Sequence, residues 1–175
     1  SEQVNARHLG FGLGPRMNAA GRLETAQHAL DMLVARDGLA ALEASEKLEE
    51  LNVKRRGIQD AIFEEACEQA EELADDRVLV VSSGGWNYGG IGIVASQLVE
   101  KYKKPVFIIG ERGEEATGSA RSFGDFSAAD AVRAADDIII KGGGHGAAAG
   151  VTLGTEKIGD FRRRVNEFYD SLQLT

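Results

Sequence analysis

Nine consecutive residues, Gly142-Gly143-Gly144-His145-Gly146-Ala147-Ala148-Ala149-Gly150, surround one imidazole with nothing larger than a methyl group. Glycine removes the Cβ and accepts φ > 0, so a second molecule can come close to such a backbone. Successive N–H groups there can also form a concave nest for an anion. A histidine set in that nest offers a hydrogen-bond donor, a proton or a metal-directed nitrogen. A plain turn between the apolar run Ile138–Ile140 and a following strand would need far fewer than five glycines and three alanines in nine positions.

Three further segments carry chemistry. In Gly118-Ser119-Ala120-Arg121-Ser122, positions 119 and 121 share one face if the segment is a strand. Arg121 then supplies a planar fork of donors and Ser119 a hydroxyl, a compact phosphate receptor. An edge strand with one surface arginine is an equal alternative. In Gly14-Pro15-Arg16-Met17-Asn18-Ala19-Ala20-Gly21-Arg22, Arg16, Asn18 and Arg22 stand among small residues. That composition fits contact with an anion, or else ordinary surface arginines in a loop before a helix. The segment Trp86–Ser96 follows a strand and opens a helix, whose N-terminus attracts anions. Its Gly90, Gly92 and Ala95 match G-x-G-x-x-A, with Glu111 about twenty residues on, as in a dinucleotide fingerprint. The strand ends about seven residues before Gly90, however, whereas fingerprint glycines sit in the turn directly after it. His8 and His28 have no neighbour at metal-ligand spacing, so no metal site is expected within the chain.

These segments need a scaffold. The 175 residues, 43% apolar, suffice for one ordinary domain with an extension. Aromatics at 6% argue against large base-stacking platforms. Between Leu39 and Asp76 there are twelve acids and four bases, a net charge of −8 that equals the net charge of the whole chain. The imbalance therefore belongs to one solvated helical face and does not speak against nucleic acid elsewhere. The lone Cys67 forms no internal disulfide and suits a reducing cytoplasm. With no leader or long apolar run, a soluble cytoplasmic protein without membrane contact is expected.

Residues 1–22 read as irregular, with a helix starting near Thr25 and reaching Arg36. A long amphipathic helix follows: Leu48, Leu51, Ile58, Ile62, Ala66, Ala70 and Leu73 recur at helical spacing. Continuous from Leu39 to Asp75, it would span roughly 55 Å. From Arg77 the character changes to strand–helix alternation: strands at 78–81, 105–109, 116–122 and 150–153, helices at 90–102 and from Ser127, and a last helix capped by Thr155. The expected fold is α/β, a mixed sheet flanked by helices, with residues 1–76 a helical connector and 77–175 the sheet domain.

Together the four motifs resemble, in order and over residues 14–150, the C-terminal part of the RecJ family of single-strand-specific exonucleases in the DHH phosphoesterase superfamily. The glycine–histidine motif marks the DHHA1 domain, which other DHH phosphodiesterases and alanyl-tRNA synthetases share. The Gly14–Arg22 motif and the long helix point to RecJ in particular. The resemblance implies that an N-terminal DHH domain, whose Asp-His-His motif this sequence lacks, holds Mn²⁺ or Mg²⁺. A long helix would join it to DHHA1, with DNA in the cleft between.

Carried over by motif, Ser119 and Arg121, with Ser122, would bind the 5′-phosphate. His145 with Gly142, Gly143 and Gly144 would contact the phosphate near the scissile bond as the catalytic element of this half. Arg16, Asn18 and Arg22 would support the backbone of the strand. The expected partner is single-stranded DNA with a 5′ end, with single-strand-binding protein and a helicase as candidate protein partners. Two places depart from the family's usual residues, Asn87 and Gln97. The alternatives are a phosphodiesterase for short oligonucleotides or cyclic dinucleotides, and a non-catalytic nucleic-acid-binding module.

Overall fold

The computed structural model describes residues 4–86 and 88–172, so Asn87, one of the two departures, lies outside the described residues. Two compact units meet in sequence between Ile58 and Gln59, inside one long helix.

In the first unit, the stretch expected to be irregular is helical. A π-helical turn at His8–Leu13 leads into α1, Gly14–Leu23. Pro15 stands in the first turn of α1, where its fixed φ favours a helix and its missing N–H costs nothing. Ala19 and Ala20 then give α1 a flat face that buries completely. The glycines and proline that suggested a loop thus act as a helix start. α2 runs Gln27–Val34 and α3 runs Gly38–Glu72. Asp37 opens α3, its carboxylate accepting from the N–H groups of Leu39 at 3.0 Å and Ala40 at 2.9 Å. Ala19, Ala20, Ala29, Leu48 and Leu51 form the small core of this unit, with Met17, Leu23 and Met32 packed against it.

The second unit holds a five-stranded sheet: β1 Leu79–Ser83, β2 Val106–Arg112, β3 Glu115–Arg121, β4 Lys141–His145 and β5 Ala148–Gly154. The order is β1-β2-β3-β5-β4, with β1 parallel to β2 and every other pair antiparallel. The mixed α/β sheet expected from the sequence is present. Strand β4 was not anticipated, because Lys-Gly-Gly-Gly-His has neither the branched side chains nor the alternation that mark strands.

Helices cover both faces. α4, Tyr88–Tyr102, contacts β2 and β3 and buries Ile91, Val94, Ala95 and Leu98. On the opposite face lie α5, Ala128–Arg133, and α6, Ile158–Ser171. Their core includes Phe107, Ile109, Val132, Val151, Leu153, Phe161 and Val165, with Phe107 and Phe161 edge to face at 5.1 Å between centroids. Ser127 caps α5 by accepting from Asp130 N–H at 3.2 Å. Thr155 does not cap α6: it sits in a 3₁₀ turn, Thr155–Lys157, and its hydroxyl donates to Gly113 O at 2.8 Å.

At the outer edge of β1 two amides each imitate a neighbouring strand. Gln69 of α3 donates to Ser82 O at 2.9 Å and accepts from Ser82 N–H at 3.0 Å. Asn166 of α6 accepts from Val78 N–H at 2.9 Å and donates to Val78 O at 3.0 Å. Edge groups satisfied this way cannot recruit another chain. The first of these amides places the C-terminal part of α3 within the sheet unit.

Candidate nucleic-acid interface

The sheet register assembles the site. Arg121 of β3 stands opposite Ala148 of β5, which stands opposite His145 of β4. One pleat along, Ser119, Gly150 and Gly143 form a second row. Directly opposed residues of an antiparallel pair project to the same face, so Ser119, Arg121 and His145 share one face. By the alternation along each strand it is the face opposite the core residues Ala116, Ala120, Ala149 and Val151, and therefore the α4 side. Between Arg121 and His145 the floor is made of alanine and glycine alone. Two strand spacings separate Arg121 from His145, roughly 10 Å at the backbone.

Lys141, at the start of β4, lies on the same face in a third row with Thr152 and Thr117, and is exposed. Sequence reasoning missed it. The signal was its spacing of four from His145, which matters only once that stretch is known to be a strand.

Arg121 is held in place. Its Nη1 donates to Ser119 Oγ at 3.0 Å and to Ala120 O at 2.7 Å. Its Nη2 faces α4: a Cβ built on Gly92 would lie 3.0 Å from Arg121 Nη2 and 3.2 Å from Ser119 Oγ. The Gly90–Ser96 motif and the Ser119–Arg121 motif, remote in sequence, therefore meet.

The glycine–histidine run is a strand, a tight turn at Gly146-Ala147 and a second strand, rather than a continuous nest, because β4 pairs with β5 along its length. Its glycines have different reasons. A Cβ at Gly142 would meet Val132 Cγ1 at 2.4 Å, so that position admits α5. Gly144 has φ +154°, and a Cβ there would fall 2.3 Å from Ala148 O. Both absences serve the fold on the core side. Only Gly143 of the three has nothing within 4 Å of its would-be Cβ, and it stands beside Gly150 on the face of Arg121. The His145 imidazole is exposed.

Ser122 serves the scaffold. Its hydroxyl donates to Gly146 O and accepts from Ala128 N–H at 3.1 Å, tying the hairpin turn to the start of α5. Gln97 is exposed on α4, beside an open groove of about 620 Å³ lined by Phe63, Ile93, Ser96, Glu100 and Lys101. Arg16, Asn18 and Arg22 belong to the first unit, on α1. Arg16 pairs with Glu49 of α3 and donates to Gly12 O at 2.6 Å, so it braces α1 against α3. Asn18 and Arg22 are exposed.

Among the described residues no three His, Cys, Asp or Glu side chains converge as metal ligands. A two-metal centre does not fit the described residues. No described helix is long and apolar enough to cross a membrane.

A DHHA1 domain is matched over residues 75–171. The single-stranded-DNA-specific exonuclease RecJ of Bacillus subtilis is 38% identical over 172 residues, which are 97% of this chain and 22% of that protein. Its counterpart in Thermus thermophilus is 33% identical over 163 residues, 93% of this chain and 24% of that protein. The crystal structure of RecJ from Thermus thermophilus in complex with Mn²⁺ matches with a TM-score of 0.86 at 30% identity, over 95% of this chain and 25% of that one. A crystal structure of exonuclease RecJ bound to manganese gives 0.84 at 28% identity, over 98% of this chain and 42% of that one. The chain thus spans about a quarter of the length of these two curated relatives. With the fold, the motifs and the domain match in agreement, this chain belongs to the DHHA1 domain family.

Proposed function

We propose that this chain is the substrate-binding part of a 5′→3′ single-stranded-DNA exonuclease of the RecJ kind, and that its α4-side sheet face receives the phosphorylated end of the strand. The observation that carries the reading is the row Arg121–Ala148–His145 beside the row Ser119–Gly150–Gly143. It offers a guanidinium, a hydroxyl and an imidazole around a floor with no side chain beyond a methyl, a surface that a sugar-phosphate backbone can approach closely. Arg121 and Ser119 hold the terminal phosphate by charge-assisted hydrogen bonds. The spacing of roughly 10 Å across two strand intervals puts His145 within reach of a phosphate further along the strand, where its imidazole donates a hydrogen bond and steadies developing negative charge. Lys141 extends the same face. Within the first unit, α1 offers the Asn18 amide and the Arg22 guanidinium as further groups for a sugar-phosphate backbone.

Hydrolysis needs an activated water. Metal ions such as Mn²⁺ or Mg²⁺ would supply it from a segment outside this chain, since no cluster of three ligating side chains stands among the described residues. The chain's own residues bind, orient and discriminate. Single-strand-binding protein and a helicase are the expected protein partners of the complete protein, and the cytoplasm its compartment.

Binding separates this reading from its rivals. In fluorescence anisotropy at low salt, the chain should hold a 5′-phosphorylated single strand more tightly than the same strand ending in a 5′-hydroxyl. Arg121→Ala should remove most of that difference. Equal affinity of the unsubstituted chain for both strands would overturn the end-recognition role. Preference for a dinucleotide over a long single strand would move the substrate to the short oligonucleotide class.

A further inference from the structure

We infer that Gly92 of α4 is the positioning residue that seats the Arg121 guanidinium, and so sets discrimination between phosphorylated and hydroxyl ends. The inference rests on the reading of Ser119 and Arg121 as the phosphate receptor and adds a determinant on a different element.

Glycine is unfavourable inside a helix relative to alanine, yet α4 carries Gly92 just past its first turn. No local geometry requires it, since Gly92 is not among the glycines with positive φ. What requires it is the neighbour. A Cβ at this position would lie 3.0 Å from Arg121 Nη2 and 3.2 Å from Ser119 Oγ, tighter than ordinary van der Waals contact. Both atoms belong to the receptor, and both are ends of side chains that can yield. A methyl at position 92 therefore does not break the fold. It pushes the fork and the hydroxyl away from α4 by a few tenths of an ångström.

Arg121 is also fixed from the other side, by Ser119 Oγ at 3.0 Å and Ala120 O at 2.7 Å. A shift forced from α4 therefore loosens those bonds and turns the planar donors out of register with a phosphate, whose recognition by arginine depends on geometry as well as charge. Gly90 provides the contrast: two residues earlier on the same helix, and so on its other side, its would-be Cβ meets only Gln59 Cγ at 3.5 Å and Nε2 at 3.7 Å, ordinary contact distances.

The test compares Gly92→Ala, Gly90→Ala and Arg121→Ala in the 175-residue chain. For each, affinities for 5′-phosphorylated and 5′-hydroxyl oligothymidylate are measured, together with the melting temperature and the Arg121 Nε–H resonance. Gly92→Ala should lower the phosphate-to-hydroxyl affinity ratio by roughly three- to tenfold, the scale of a sub-ångström misplacement. It should also shift the Arg121 resonance and leave the melting temperature unchanged or raised. Gly90→Ala should keep the ratio. If Arg121→Ala loses the ratio while Gly92→Ala retains it, the positioning role is overturned and the receptor stands. If Arg121→Ala retains it as well, the receptor itself falls. A Gly92→Ala chain that melts lower would assign the glycine to packing instead.

Discussion

The three glycines before His145 give three different outcomes under one chemical change. Adding a methyl at Gly142 places a carbon 2.4 Å from Val132 Cγ1 and 3.1 Å from both Gly150 O and Ile139 Cδ1. Val132 is fully buried in α5 and cannot swing away, so α5 or β4 must move by about an ångström. Overpacking of this kind costs about 1–3 kcal/mol. At Gly144 the methyl would sit 2.3 Å from Ala148 O and 2.6 Å from Ala149 Cα, atoms of the paired backbone, at φ +154°. Backbone strain adds to overpacking there, for a total of roughly 2–4 kcal/mol. At Gly143 nothing lies within 4 Å, so alanine should be neutral in stability. Urea denaturation of the three variants supplies the free energies, and anisotropy with 5′-phosphorylated single strands reads out the face. The expected order of stability is Gly143→Ala equal to the unsubstituted chain, then Gly142→Ala, then Gly144→Ala, with Gly143→Ala alone losing affinity at full stability. A Gly143→Ala chain as unstable as Gly144→Ala, or a Gly142→Ala chain without loss, would refute the division between core-side and ligand-side glycines.

His145→Ala should leave the urea midpoint unchanged, because the imidazole is exposed, while lowering the turnover of single strands by the complete protein by roughly a hundredfold or more if it stabilises developing charge; unchanged turnover would reduce the residue to a strand end. Asn166→Leu should cost about 1–3 kcal/mol, since its amide satisfies both Val78 N–H and Val78 O along with Arg77 N–H, and an unaltered midpoint would show that water replaces it fully. The Asp137 carboxyl is held below its ordinary range by the hydrogen bond from Arg164. A depressed native value means that the contribution is present above the unfolded value and lost as the pH falls below about 4. The gap in urea midpoint between the unsubstituted chain and Asp137→Asn should therefore be open near neutrality and close in acid; a gap of constant size would remove the pair from the pH dependence.

Most of the sheet unit was legible because its strands and helices carry strong periodic signals. Val78–Val81 and Pro105–Ile109 are branched runs, and Ile91, Val94, Ala95 and Leu98 fall at helical spacing. Strand β4 was invisible for a physical reason: its three central residues are glycine and show no alternation, and it is a strand only because β5 pairs with it and α5 fits against its bare backbone. The helical N-terminal region was misread for the complementary reason. Gly14-Pro15 reads as a loop until Ala19 and Ala20 have a surface to bury against, and that surface comes from α2 and α3. Within the candidate site, Ser119, Arg121 and His145 stand out by composition and family resemblance, and the sheet register sets them on one face. The contact between Gly92 and Arg121, and the alignment of Lys141 with His145, depend on strand order and helix placement that no local stretch encodes. Ser122 and Arg16 have partners within the chain that their own stretches do not announce, Gly146 O and Ala128 N–H for the hydroxyl and Glu49 and Gly12 O for the guanidinium.

The most direct measurement is a crystal structure of the chain with a short 5′-phosphorylated oligothymidylate. The account predicts the terminal phosphate between Ser119 Oγ and the Arg121 guanidinium, with a later phosphate passing over Gly143 and Gly150 toward His145. A strand bound on the α5–α6 side of the sheet, or a terminal phosphate seated away from Arg121, would contradict it.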